Sequence, residues 1–214
     1  MHTDNLKNRL NEIFLLLGEL ELLRSDIKHL SNGKEDYFQG AVGKSRFLHR
    51  TYKNCIKLLI IDANKILSPN EHFGLFKTIN FCLTNRNKIK WTEIPSLDNL
   101  KELQIQINWL IEQHLQRIKN YRDKYYVHLD KDKDKFQYDL KLKDVYATID
   151  ESQAIFGSLN SYLNGSGVYF SIWEQPPQEL INLYKYNLIR KGITDKILGG
   201  KYSKETEQYW NIIR

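Results

Sequence analysis

Leu6, Leu10, Ile13, Leu17, Leu20, Leu23, Ile27 and Leu30 follow one another at spacings of three and four, with polar residues filling most of the gaps. That period lays one apolar stripe along a helix, so the spacing predicts an amphipathic helix over residues 3–30. Thr3 and Asp4 are its capping candidates, and "SNGK" at 31–34 breaks it. A second long helix is expected over 35–67, with Phe47, Tyr52, Cys55, Leu58, Leu59, Ala63 and Ile66 on its buried side and Ser68-Pro69 as its stop. A shorter one should cover 71–84, followed by the connector "NRNKIKWTEIP".

Ser96 or Asp98 can cap the next pattern, the longest in the chain, over 97–128. Its stripe is Leu100, Leu103, Ile107, Leu110, Ile111, Leu115, Ile118 and Tyr121. The charge run "DKDKDK" at 130–135 ends it, "FQYDLKL" reads as short and extended, and Asp144 is expected to cap a fifth helix reaching residue 164. Gly165-Ser166-Gly167 is a break. Beyond it, "VYFSIWEQPP" reads as extended and 178–191 as one more helix, and Tyr209, Trp210, Ile212 and Ile213 suggest that the tail docks back. These elements predict an all-α fold, an antiparallel bundle of four to five helices over residues 1–165, with a small mixed C-terminal appendage over 166–214.

Composition agrees: 4 Pro and 11 Gly among 214 residues leave few breakers, and 41% hydrophobic residues suffice for a core. Cys55 and Cys82 lie in apolar helical segments without metal-ligand spacing and read as buried thiols. The apolar cluster 13–17 is too short for a membrane span and lacks a cleavage pattern, so a cytoplasmic protein is expected. A formal charge of +6 permits a polyanionic partner.

Several motifs fail on their spacing. "GAVGKS" has Phe38 where the first glycine of a phosphate loop belongs and no strand before it. "DKDKDK" opens like a calcium loop, but Lys135 replaces the turn glycine and Lys141 the bidentate glutamate. "RFLHR" places Arg46, His49 and Arg50 on one helical face, which reads either as a solvated basic surface or as a nucleic-acid contact. His114 reads as a packed or interfacial histidine.

"NYRDKYYVHLD", residues 120–130, holds Arg122 and His128. Six residues of helix rotate by about 600°, so the two side chains diverge by roughly 120°. Ile107, His114, Tyr121 and His128 instead share a line at seven-residue steps, drifting by only about 20° each. If two copies meet antiparallel near that line, their Arg122 and His128 pairs converge on one cleft.

This stretch resembles the signature of the HEPN superfamily: an arginine, a polar residue directly after it, then a histidine with four to six residues between. Arg122 is followed by Asp123, and five residues separate it from His128. The helical order over residues 1–165 is similar too, and "HLD" at 128–130 resembles the AbiU-type branch associated with phage abortive infection. The resemblance implies a metal-independent endoribonuclease that needs no cofactor. It also implies a homodimer with the cleft between protomers, acting on RNA as a toxin or defence effector, with an antitoxin or a nucleotidyltransferase as a possible partner. Its alternative is a non-catalytic HEPN-like module that binds nucleotides, RNA or another protein.

The residue chemistry suits the first reading. Metal-free RNA cleavage needs a base for the 2′-hydroxyl, an acid for the departing 5′-oxygen and a cation for the phosphate. His128 fits the first two roles and Arg122 the third. Asp123 is the candidate to orient a residue across the cleft, and Asp130 reads either as a support for His128 or as a solvated carboxylate. Tyr125 and Tyr126 can stack on a base or pack; Tyr125, near the seam, is assigned to packing and Tyr126 to substrate. Lys119 and Lys124, with Arg117, add positive charge that attracts RNA without choosing its sequence. The plainest reading treats "RDKYYVH" as a helix end whose cations complement the dipole.

Overall fold

The computed structural model describes residues 1–31, 45–123 and 139–170, together with residues 182, 186, 189, 190 and 192. Among them the regular structure is entirely helical. Helix α1 is His2–Ser31, α2 Arg46–Leu67, α3 Leu75–Asn85 and α4 Leu97–Leu110. A π-turn, Ile111–Leu115, then carries the chain into α5, Gln116–Tyr121, and α6 is Leu142–Asn164. The chain forms two compact units, Met1–Ser25 with Lys53–Glu174, and Asp26–Tyr52 with Gln175–Arg214. No helix among the described residues is long and apolar enough to cross a membrane.

All eight stripe residues of α1 are buried, none more than 6% exposed. Within the first unit, side-chain contacts fix the direction of its neighbours. His2 packs against Phe81, while Arg9 lies over both Phe81 and Phe73 and donates to the His72 carbonyl at 2.6 Å, so α3 runs antiparallel to α1. On α6, Phe156 stacks against Phe14, and Gln153 and Asp150 meet Glu21 and Arg24, so α6 is antiparallel as well. Asn99 reaches the Tyr162 hydroxyl at 2.9 Å and Arg117 reaches Asp144, which sets α4 and α5 antiparallel to α6. Gln104 and Asn80, joined at 2.7 Å, close the α3–α4 hairpin.

Local signals explain the boundaries. Ser96 caps α4, its hydroxyl accepting from the Asn99 N–H at 3.0 Å. Ser45 does the same for Leu48 at the start of α2, while the earlier start expected at residue 35 lies outside the described residues. Asp144 caps the helix from within: α6 begins at Leu142, and Asp144, in its first turn, accepts from the Lys141 N–H at 3.4 Å. Gly165 ends α6 with φ +70, and a Cβ there would sit 3.0 Å from Thr92 Cγ2. Thr92 itself donates to the Leu163 carbonyl at 2.8 Å, stitching the α3–α4 connector to this corner.

Two expectations for α2 are corrected. Its buried residues include Leu48, Cys55, Leu59, Ala63 and Ile66, whereas Phe47 is 70% and Leu58 46% exposed. Each stands one position, about 100° of rotation, before a residue that does face the core. Of the C-terminal expectations, Phe170 packs against Phe14 and Phe156. Asn182, Tyr186, Ile189, Arg190 and Gly192 have helical backbone, and the rest of that region lies outside the described residues.

Candidate active site

The fourth helical pattern is not one uniform α-helix. Leu100, Leu103, Ile107 and Leu110 are buried as expected, and so is Ile118, but Ile111, Leu115 and Tyr121 are only partly covered. In an unbroken α-helix the eight residues from Leu110 would turn by about 800°, leaving Ile118 some 80° off the core line. The wider i→i+5 turn at Ile111–Leu115 takes in about one extra residue and returns Ile118 to the core. It therefore also breaks the seven-residue line through Ile107, His114 and Tyr121 on which the seam was drawn.

His114 lies inside this π-turn, edge-on to Trp109 at 6.0 Å, with its Nδ1 enclosed and unpartnered among the described residues. Burial first, and then the charge of Arg117, hold its pKa below the usual 6.5, against the pull of Asp144 and Glu151. The histidine is packed, as expected, and held toward its neutral form.

Arg117 was expected to lend free positive charge to RNA. Instead its guanidinium is engaged: Nη2 donates to the Asp139 carbonyl at 2.6 Å and to Asp144 Oδ2 at 2.9 Å, and Nε lies 3.3 Å from Asp139 Oδ2. Burial alone would raise the Asp144 carboxyl, but the bond from Arg117 leads the effects that hold it below the usual carboxylate range. Sequence spacing gives no sign of this clamp, because its partners follow 22 and 27 residues later.

Arg122 follows α5 directly, its N–H shared between the Ile118 and Lys119 carbonyls. Its Nε and Nη2 both meet Asp123 Oδ1, at 2.7 and 2.6 Å, with the two side chains 27% and 30% exposed. A cation and its neighbouring carboxylate are thus held together where solvent reaches both. Lys119 is exposed one turn earlier. His128, Lys124 and Tyr126 lie outside the described residues, as do Tyr125 and Asp130. Chain length alone keeps His128 within about 21 Å of Arg122. Asp139, where the described chain resumes, is tied back to Arg117.

Among the described residues no group of three or more His, Cys, Asp or Glu side chains is gathered to hold a metal ion. Cys82 is fully buried, and burial pushes its thiol up to about 12 despite Arg9 nearby. Neither the family models, nor the curated proteins, nor the solved structures searched contain a match to this chain.

Proposed function

We propose that the protein is a metal-independent endoribonuclease of the HEPN kind, a phage-defence or toxin-type effector whose Arg122 and His128 work in a cleft between two copies of the chain. The observation that carries this reading is the Arg122–Asp123 pair: adjacent residues, hydrogen-bonded and partly exposed to solvent at the end of α5. Arg122 is the phosphate-stabilising cation, and Asp123 aims it. His128 takes the proton from the 2′-hydroxyl and returns one to the departing 5′-oxygen, closing the 2′-oxygen onto phosphorus.

The π-turn a few residues earlier is a further support, since such bulges recur at functional sites. The outer face of α4 adds another: Ile105 and Trp109, 69% and 48% exposed, form an i, i+4 apolar pair that a second copy would cover. A second reading, a non-catalytic nucleotide- or RNA-binding module, is favoured by one feature, that Arg122 Nε and Nη2 already face Asp123.

The test is RNA cleavage in the presence of a chelator by wild-type, His128→Ala and Arg122→Ala proteins of matched circular dichroism. The account expects cleavage lost in the first variant and reduced by about two orders of magnitude or more in the second. Equal cleavage by wild-type and His128→Ala protein rejects it, and binding without cleavage by any of the three selects the second reading.

A further inference from the structure

Phe47 and Leu58, the two large apolar residues of α2 that are exposed, lie beside a line of cations. Arg46, Arg50, Lys53 and Lys57 follow at steps of four, three and four on the continuous helix Arg46–Leu67. Such steps keep all four within about 60° of one another on the helix surface and spread them over roughly 16 Å of axis. Arg46, Arg50 and Lys53 are exposed and Lys57 partly so, and His49 is exposed beside the first two. None of the four has an ion pair among the described residues, and the chain carries no Asp or Glu from 37 through 61.

Two features of this face are unfavourable for the folded chain alone. Phe47 is 70% exposed, and the first turn of α2 carries Arg46, His49 and Arg50 with no acidic residue, against the positive end of the helix dipole. Both become favourable when a polyanion with flat rings lies along the helix. Phosphates then neutralise the cation line and the dipole together, and a base covers the Phe47 ring.

We infer that this face of α2 binds single-stranded RNA, the four cations taking successive phosphates and Phe47 stacking on a base. A single strand fits better than a duplex because its bases are free to splay onto an aromatic ring. It fits better than a membrane because the opposite side of α2 is buried in protein and, among the described residues of α2, the exposed large apolar ones are Phe47 and Leu58, too few for an interfacial anchor. The inference extends the ribonuclease reading by giving it a surface that holds substrate outside the reacting site. It does not depend on Arg122 or His128.

The experiment titrates a fluorescent 2′-O-methyl oligouridine, which lacks the cleavable 2′-hydroxyl, into the full chain over a range of salt. Wild type is compared with the quadruple variant Arg46→Gln/Arg50→Gln/Lys53→Gln/Lys57→Gln and with Phe47→Ala, each checked for helicity. The quadruple variant should bind about ten-fold or more weakly, and its slope of log affinity on log salt should flatten by about 0.7 for each phosphate contact removed. Phe47→Ala should weaken binding several-fold with the slope unchanged. No binding by wild type, or an unchanged affinity and slope in the quadruple variant, overturns the inference. So does equal affinity for a duplex of the same length, or stripe-dependent binding to phosphatidylserine vesicles without binding to RNA. Cleavage of ordinary RNA, followed separately, reports on Arg122 and His128 alone.

Discussion

Glu21 is 1% exposed, and its carboxylate is answered by Arg24, with Nη2 to Oε2 at 2.5 Å, and by Gln153 at 3.1 Å. Arg24 also bonds Asp150 on α6. Burial lowers the Arg24 pKa, but these bonds more than restore it and leave it raised. Removing the cation strands a buried anion, so Arg24→Ala should cost about 3–5 kcal/mol in urea unfolding. Glu21→Gln/Arg24→Met should cost less than Arg24→Ala despite altering two residues, because it removes both charges. His114 gives a pH signature of its own. Its pKa is lowered in the fold, so the folded state resists protonation and stability present above the ordinary 6.5 is lost as pH falls from there toward the depressed value. His114→Gln should flatten the stability difference between about pH 7.5 and 5.5, measured by the same unfolding. Neither network was legible in the sequence. Glu21 meets a partner 132 residues away, and the enclosure of His114 depends on a π-turn.

At the scale of elements, legibility followed periodicity. The α1 stripe was readable in full because eight apolar residues keep one period over 25 positions, long enough to outweigh the off-stripe Leu15 and Leu22, which are 57% and 37% exposed. In α2 adjacent apolar pairs, Phe47 with Leu48 and Leu58 with Leu59, make the period ambiguous, and burial took the second of each. The π-turn left no trace in residue type, since the register of Leu110 and Ile118 matters only once both meet the core. The Ser96 cap was readable because a hydroxyl beside free N–H groups has a local cause, and Ser96→Ala should cost about 1 kcal/mol; Thr3, the other hydroxyl candidate, lies inside α1. Gly165→Ala should cost about as much or more, since it strains a positive φ and presses on Thr92.

For the whole molecule, the order of the described helices was legible, and within the first unit so was the antiparallel packing of α3 and α6 against α1 and of α4 and α5 against α6; the assembly of the site was not. Arg122 and Asp123 are paired just beyond α5, and on the proposed reading the spacing of Arg122 and His128 takes on chemical meaning with a second copy. The account therefore expects a particle of twice the 25.5 kDa of one chain in sedimentation. Ile105→Glu, on an exposed face, should shift it to monomer with helicity intact and abolish RNA cleavage. The most direct test of the central claim is the chemistry of the cut ends, read by mass spectrometry after RNA digestion with a chelator present. Attack by the 2′-oxygen leaves a 2′,3′-cyclic phosphate on one product and a 5′-hydroxyl on the other, and both should disappear with His128→Ala. Products ending in 5′-phosphate, or the same cyclic ends made equally well by His128→Ala, would contradict it.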